Sequence, residues 1–249
     1  MSTKPTAPAI APTHFPCRSQ LYRWHRSARA KFEEVAGSVV VAEYTEAADE
    51  TIQATQLALV DLSTLPRVGF KGAGAPTWLL EQGALLPDSP NRAERLEDNS
   101  LIVRLSATEL LILSSPITRS AFTVKLQDRW SLESTKGVYL LPRRDSHCWF
   151  ALTGVRAPAT LAKVCGVDFR TQNFSEHEVA QTSLAHVNAI ILRSDFATTP
   201  CFLILSDVSS AEYLWETLID AMAESRGNAV GMVALRALDT APEQTGIQR

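Results

Sequence analysis

The sequence lacks the long apolar runs and the cysteine patterns that identify membrane proteins and disulfide-rich secreted proteins. No apolar run approaches the length that a helix needs to cross a bilayer, and the N-terminus shows no apolar core of a secretory signal. The four cysteines form neither a CxxC pair nor a set with metal-ligand spacing: Cys17, Cys148, Cys165 and Cys201. We therefore expect a cytoplasmic protein whose reduced thiols pack as small apolar side chains.

The sequence also lacks the excess of basic residues that nucleic-acid binding requires. Its formal net charge is −3 and its pI is near 6.0, which argues against nucleic acid as the main partner because phosphate binding needs a basic face. The five histidines show no HxxxH or HxH spacing. His177 stands between Glu176 and Glu178, where a solvated turn is favoured over a local metal site. The sequence therefore predicts no metal-binding residues.

Motifs for nucleotide binding and nucleophilic catalysis are incomplete. The glycines at 72–74 lack the third glycine and the acidic residue of a dinucleotide fingerprint. Residues 145–148, Asp-Ser-His-Cys, include nucleophile and base types, but chain neighbours rarely face one another and no GxSxG elbow is present. The acidic pair at 97–98 precedes an apolar hairpin, yet a solvated turn with Asn99 is favoured. Residue chemistry alone predicts no catalytic residues.

The sequence does contain two stretches of matching design. It has 249 residues, 45% of them hydrophobic, which is enough for one large domain or two closely packed small ones. Residues 57–80 and 148–163 each carry an apolar strand pattern, then a glycine turn, then an Ala-Pro helix start. The elements after each stretch follow a similar order, β-α-β-β-β-α in the second half. We therefore predict an α+β fold in which two similar halves of antiparallel sheet are backed by helices.

Outside these stretches the predictions are local. Residues 1–18 are rich in proline and polar residues and predict a flexible arm, residues 19–238 form the domain, and residues 239–249 predict a flexible tail. Helical spacing of apolar residues predicts an amphipathic helix within 19–35. Proline and asparagine predict a loop at 85–95. Ser209 or Ser210 is expected to cap a helix over 211–224.

Four segments together resemble the folate-binding domain of the glycine-cleavage T-protein (aminomethyltransferase) family, which also recurs in enzymes that oxidise dimethylglycine and sarcosine. Each motif is weak alone, but their order and spacing match the family pattern from about Leu21 to Leu238. The resemblance implies a T-protein-like fold and a relation to tetrahydrofolate. The segments lie at residues 58–79 (ALVDLS, RVGFKG and the following helix), 150–161, 202–218 and 231–238.

Within that family the chain most resembles the small gamma subunits of heterotetrameric sarcosine oxidases. The features are the SxLYxxHxxxxAxF pattern at 19–32, the segments DLSTLPRVGFKGAGAPTWL and SLIVRLSATELLIL, and the lack of the T-protein's C-terminal barrel domain. The resemblance implies larger partner subunits that carry FAD, FMN and NAD, and a complex that oxidatively demethylates sarcosine with transfer of the one-carbon unit to tetrahydrofolate. We expect the motif residues to be structural: Asp61, Ser63, Arg67, Gly72, Trp78 and Trp215.

Three departures from the family pattern concern folate itself. Asp98 is the nearest equivalent of the carboxylate that assists transfer, but the flanking glycine pair is missing. Residues 193–200 lack the glycines and the acid of the corresponding loop. Leu238 stands where a glutamate would bind the pterin ring, two residues after Arg236. The resemblance therefore implies a vestigial folate site at Asp98 and Arg236. A folate-dependent transferase with a remodelled site, or a folate-binding regulatory protein, remain alternatives.

Overall fold

The computed structural model describes residues 10–240, with gaps at residues 11, 16, 36, 119 and 120. Most of the predicted arm and tail, residues 1–9 and 241–249, lies outside the described residues. What is described of them contains a 3-10 turn, Pro12–His14, and the end of the last helix. No helix in the described part of the chain is both long and apolar enough to span a bilayer.

Short helices alternate with strands along the chain. The helices are α1 (Tyr22–Ser27), α2 (Ala47–Gln56), α3 (Ala75–Glu81), α4 (Phe122–Arg129), α5 (Arg143–Ser146), α6 (Ala157–Leu161), α7 (Ala211–Ala223) and α8 (Met232–Thr240). The strands are β1 (Lys31–Val35), β2 (Ser38–Glu43), β3 (Ala58–Asp61), β4 (Arg67–Lys71), β5 (Arg92–Arg95), β6 (Leu101–Ser106), β7 (Glu109–Leu113), β8 (Tyr139–Leu141), β9 (His147–Thr153), β10 (Val179–Leu184), β11 (Val187–Arg193), β12 (Cys201–Asp207) and β13 (Asn228–Ala229).

Two of the sheets share one topology. One has the order β5-β6-β7-β4-β8 and the other β10-β11-β12-β9-β3-β13. Each is built from a β-α-β-β-β-α run, β4 to α4 in the first half and β9 to α7 in the second, and all pairs within these two runs are antiparallel. The predicted α+β architecture is confirmed. A third sheet is the β1-β2 hairpin.

Alternation along the strands produces a layered molecule. Odd-numbered residues of β6 and β7, such as Val103 and Leu111, join Ala151 and Leu203 of the other sheet in one central cluster. Side chains on the opposite faces pack against α3 and α4 in the first half and against α6 and α7 in the second. This arrangement follows from the period of two in strands, which sends successive side chains to opposite faces.

Two local predictions are corrected by strand pairing in the structure. The helix predicted within 19–35 is only six residues long, since Arg29 adopts a φ of 59° and the chain turns back as β1. Phe32 of β1 pairs with Val41 of β2, so a strand partner outweighs the helical spacing. The loop predicted at 85–95 ends in the edge strand β5, which pairs with β6.

The start of α7 also differs from the prediction. Ser210 occupies the N-cap position without a side-chain cap hydrogen bond. The capping bond lies one turn earlier, where the Asp207 carboxylate accepts from the Ser209 amide at 2.8 Å at the start of a 3-10 turn. Aspartate is therefore the residue that stabilises the entry to this helix.

Candidate functional site

A buried hydrogen-bond network lies where two of the sequence motifs meet. Asp61 is the last residue of the apolar strand β3, and its Oδ2 accepts from Ser19 Oγ and lies 2.9 Å from His25 Nε2. Its Oδ1 accepts from the Ser63 amide at 2.9 Å. His25 is 1% exposed and Asp61 6%. The SxLYxxH and DLS motifs thus form one contact, which explains why both residue patterns occur in the same chain.

The network continues from His25 to a tyrosine. His25 Nδ1 lies 2.8 Å from Tyr44 Oη. Burial alone would raise the pKa of Asp61, but hydrogen bonds from His25, Ser19 and Ser63 and the charge of His25 hold it below its ordinary value. Burial, with the charges of Asp61 and Glu50, raises the pKa of Tyr44 well above its usual value. The phenol therefore stays protonated at neutral pH and cannot serve as a base.

The connectivity of this network does not fit nucleophilic catalysis. A Ser-His-Asp triad needs the imidazole between the hydroxyl and the carboxylate. Here the carboxylate of Asp61 is central, with Ser19 and His25 both bound to it. The hydroxyl of Ser19 therefore makes no contact with the imidazole that would take its proton in a triad. The network instead fastens α1 against the end of β3.

A buried arginine fastens the other side of the DLS turn. Arg67 is 1% exposed, and its Nη1 donates to the carbonyls of Ser63 at 3.0 Å and Leu65 at 2.9 Å. Its Nη2 donates to the carbonyls of Arg144 and His147. Burial lowers the pKa of Arg67 to about 10, so it remains a cation at neutral pH. The guanidinium donates to backbone carbonyls within the chain rather than to a ligand.

Residues 146–148 do not form a reactive site. Ser146 Oγ and His147 Nδ1 lie 2.8 Å apart, and Arg143 Nη1 lies 2.9 Å from His147 Nε2. Because the guanidinium can only donate, Nε2 is the acceptor and the proton of the neutral ring is on Nδ1, so His147 cannot act as a base toward Ser146. Burial, Arg143 and Arg67 lower the pKa of His147 to about 4. Burial raises the pKa of Cys148 to about 12, so this thiol is not a nucleophile.

Asp98 lies in the turn between β5 and β6. Its Oδ1 accepts from the Ser100 amide at 3.0 Å, and its carbonyl accepts from Thr118 Oγ1 at 2.6 Å. Both contacts stabilise the turn, in which Asn99 adopts a φ of 62°. The carboxylate thus takes part in an Asx-type turn, as the sequence pattern favoured.

The loop at residues 193–200, which differs from the family pattern, is stabilised by an ion pair between two of its own residues. Arg193 Nη2 and Asp195 Oδ2 lie 2.6 Å apart, and both side chains are largely buried. Asp195 Oδ1 also accepts from the Cys201 amide at 3.1 Å. Phe196 is 3% exposed and belongs to the central cluster between the sheets. The loop therefore places the side chain of Phe196 in the core, and its two charged side chains neutralise each other.

Leu238 and Arg236 lie on different sides of α8. Leu238 is 2% exposed and belongs to the same central cluster as Phe196. Arg236 Nη1 lies 2.7 Å from Glu33 Oε1 of β1. Arg236 and Thr118 line a cavity of about 210 Å³. Asp98 contacts Thr118 through its backbone carbonyl only. Arg236 therefore lies at this cavity while the carboxylate of Asp98 does not line it, and the cavity is below the roughly 300–1,000 Å³ of most ligand pockets.

A larger polar cleft, of about 480 Å³, lies between the sheets at the other end of β6. Its polar groups are engaged with one another. Glu109 pairs with both Arg143 and Lys71, and Gln181 Nε2 donates to Asn91 Oδ1 and the Leu105 carbonyl. The sequence reasoning missed these contacts because the partners are far apart along the chain. Among the described residues, no group of three or more His, Cys, Asp or Glu side chains could hold a metal ion.

Comparisons with known proteins place these observations in a family context. The model of the GCVT N-terminal domain family matches residues 90–240. The crystal structure of the glycine cleavage system aminomethyltransferase T from Bartonella henselae is similar with a TM-score of 0.68 and 21% identity. That match covers 90% of this chain and 62% of the aminomethyltransferase chain, so the protein spans less than two thirds of that relative.

A second solved structure is also similar. The heterotetrameric sarcosine oxidase from Corynebacterium sp. U-96, in complex with pyrrole 2-carboxylate, contains a chain that matches with a TM-score of 0.58 and 20% identity. The match covers 72% of this protein and 91% of that chain. At these identities the likeness concerns the fold. No curated protein matches the sequence significantly.

Proposed function

The chain belongs to the GCVT N-terminal domain family, and from this premise we propose that it is a non-catalytic, gamma-type subunit of a heterotetrameric, sarcosine-oxidase-like complex. In this proposal the complex oxidatively demethylates sarcosine and passes the one-carbon unit to tetrahydrofolate. The larger subunits carry FAD, FMN and NAD, and this chain contributes structure rather than reacting groups. The complex is cytoplasmic.

The observation that carries the proposal is the buried apolar residue at the position of the pterin-binding glutamate. Leu238 replaces a pterin-binding glutamate of the family pattern, and Leu238 and Phe196 are both buried in the central cluster. A pterin placed against such side chains would leave its N–H donors unpaired, at about 1–3 kcal/mol for each buried donor. Site recognition that depends on polar partners is lost steeply when those partners are removed.

Charge pairing within the chain supports the same proposal. The guanidinium of Arg236 is paired with Glu33, and that of Arg193 with Asp195. Binding a folate carboxylate through either arginine would require breaking an existing ion pair. The fold is retained while the groups that would recognise folate are engaged elsewhere, which is the pattern expected of a structural subunit.

The proportions of the sarcosine oxidase match support the subunit assignment. That match covers a larger share of the oxidase chain than of this protein, 91% against 72%, so the matched oxidase chain is the shorter of the two. A short chain within a heterotetramer corresponds to a small subunit. This protein has 249 residues, a size suited to such a role.

Co-expression tests the proposal directly. The full chain would be produced together with the larger subunits of a heterotetrameric sarcosine oxidase from the same organism, with an affinity tag on one larger subunit. We expect this chain to co-purify and to co-elute from a sizing column in a stoichiometric complex. A chain that remains a separate monomer throughout would contradict the subunit proposal.

The cavity beside Arg236 and Thr118 favours one alternative, a folate-dependent aminomethyltransferase or folate-binding protein with a remodelled site at Asp98 and Arg236. Calorimetric titration of the isolated chain with tetrahydrofolate separates the two, with an authentic aminomethyltransferase as the positive control. We expect no micromolar binding. Micromolar binding that is lost in the D98N and R236A variants would support the alternative and contradict a purely structural role.

A further inference from the structure

The segment that carries α1 has an unusually basic surface for a chain of net charge −3. Residues 18–32 contain no aspartate or glutamate. Four arginines of this segment are exposed, and they are termed the arginine patch: Arg18, Arg23, Arg26 and Arg29. In the part of the chain that the structure describes, none of the four guanidinium groups lies within 4.0 Å of a carboxylate.

The buried network holds this patch in place. Leu21 and His25, one helical turn apart, are both 1% exposed, and His25 and Ser19 are bound to Asp61. One face of α1 is therefore anchored in the core while Arg23 and Arg26 point to solvent. A surface whose backbone is already ordered loses less conformational entropy on binding than a flexible one.

Aromatic side chains accompany the arginines. The Arg18 guanidinium lies 5.1 Å from the centre of the Tyr22 ring. Trp24 is half-buried and packs edge-on against Trp215 at 5.2 Å. Beside them lies a cavity of about 230 Å³, bounded on the α7 side by Glu212 and Glu216. The cavity is large enough for a side chain of another protein, and Arg23 of the arginine patch lines it.

We propose that the arginine patch is a docking surface for an acidic face of a larger subunit of the complex. This inference rests on the proposed function. All four cations are arginine, and interfaces between proteins are enriched in Arg, Tyr and Trp and depleted in Lys. Arginine also binds carboxylates through two parallel hydrogen bonds. Nucleic-acid binding needs an extended basic face, whereas the chain as a whole has a net charge of −3.

Charge reversal with a matched control tests the docking surface. R23E/R26E changes two patch residues, and K125E/K136E makes the same change in net charge at two exposed lysines away from α1. Association of each full chain with the larger subunits would be measured by surface plasmon resonance at low and high salt. We expect R23E/R26E to lower the association rate about tenfold or more, since electrostatic steering accounts for roughly 10–10³ in rate, and K125E/K136E to match the wild type.

Salt dependence sharpens the result. Wild-type association should weaken as ionic strength rises, because exposed charges are screened, and R23E/R26E should respond much less. Equal association of wild type, R23E/R26E and K125E/K136E would overturn the docking surface while the subunit proposal stands. If the wild type itself fails to associate, the proposed function fails and the docking surface with it.

Two further measurements address other anionic partners. Wild type and R23E/R26E would be titrated with a short DNA duplex and with phosphatidylserine-containing vesicles at physiological salt. We expect negligible binding in both. Binding to either one that R23E/R26E abolishes would overturn the inference of a protein partner.

Thermal unfolding of both double variants would be compared with wild type, and equal midpoints show that altered association is not a folding defect.

Discussion

The two β-α-β-β-β-α halves use the same topology with different chemistry at the centre. When Gly72 of the first half is aligned with Gly154 of the second, Arg67 becomes equivalent to Trp149. Both are buried, and the Arg67 guanidinium lies 5.9 Å from the Trp149 ring. The equivalent positions therefore contact each other where the halves meet. One half supplies a cation and the other an aromatic face, a pairing that two identical halves could not make.

What the halves share is the turn after the first strand. Gly72 has a φ of 129° and Gly154 a φ of 107°. A Cβ on Gly72 would lie 2.1 Å from the Gly137 carbonyl oxygen, and one on Gly154 would lie 2.4 Å from the Gln56 carbonyl. Packing against neighbouring backbone thus requires glycine in both halves. The comparison teaches that backbone constraints are repeated while side-chain chemistry at equivalent positions diverges.

Alanine at these glycines should have the largest effect. We expect G72A and G154A each to lower the free energy of unfolding by about 3 kcal/mol or more, because backbone strain and a steric clash add. Urea unfolding measures this. G83A, with a φ of 85° and open space around its Cβ, isolates the strain, and G166A, with open space and no positive φ, is the neutral control. Similar stability of G72A and G166A would contradict the shared constraint.

Substitution of Arg67 and Trp149, the equivalent residues that contact each other, should show how the chemistry of the two halves differs. R67M removes the donor to four carbonyls, two of them in fully buried contacts, and we expect a loss of about 3 kcal/mol in unfolding free energy. W149F substitutes a smaller ring for one whose Nε1 has no hydrogen-bond partner among the described residues. Packing and part of the contact with the Arg67 guanidinium are lost, at about 1–2 kcal/mol. Chemical denaturation of both variants and of the double variant would be compared. A larger loss for W149F than for R67M would reverse this ranking.

The Asp61 network belongs to one half only. β3 beside β9 and β8 beside β4 hold equivalent places, but Pro142 follows β8 where Asp61 ends β3. We expect D61N to cost about 2 kcal/mol at neutral pH, since hydrogen bonds to a charged group are lost. P142A, outside any such network, should cost much less in the same denaturation series.

The pH dependence of the Asp61 contribution has a defined sign. The pKa of Asp61 is held below its ordinary value in the folded chain. Its stabilisation is therefore present above the unfolded-state pKa, near 3.9, and is lost as pH falls through the folded pKa. Stability measured between pH 7 and pH 2 should fall less steeply below pH 4 in D61N than in wild type. Parallel stability profiles of D61N and wild type would contradict a stabilising contribution from ionised Asp61.

The smallest effect is expected at Ser146. Its hydroxyl accepts from a neutral His147 and donates to the Pro142 carbonyl at the molecular surface. S146A should change stability by less than about 0.5 kcal/mol and leave association with partner subunits unchanged. A loss comparable to that of D61N would mean that residues 146–148 have a role that the hydrogen-bond geometry does not reveal.

Local signals were sufficient for much of the fold. The alternation at 67–71, the glycine turns and the Ala-Pro helix starts predicted the repeated unit, and the hairpin of β6 and β7 was predicted from two apolar runs. These patterns act over a few residues, so they can be recognised along the chain. The strand β1 could not be predicted in this way because its helical spacing is equally good, and its partner β2 decided the conformation.

The candidate site depended far more on long-range contacts. The sequence pointed to Asp98 and Arg236. In the structure Arg236 and Thr118 line one cavity, and Asp98 contacts Thr118 only through its backbone carbonyl. The sequence did not indicate that Phe196 and Leu238 belong to one buried cluster, nor that Ser19 and His25 bind Asp61 from 42 and 36 positions away. No local sequence pattern indicates contacts between residues so far apart along the chain.

Residue order thus specified the strands, the obligatory glycines and the family motifs, because these depend on backbone preferences of adjacent residues. Tertiary packing determined which charged side chains are paired and which remain exposed. Asp61 is enclosed by Ser19, His25 and Ser63, and Arg67 by four carbonyls, while Arg23 and Arg26 on the opposite face of α1 remain at the surface. A hydrogen bond requires atoms within about 3 Å, and only the folded chain brings residues of distant sequence position that close.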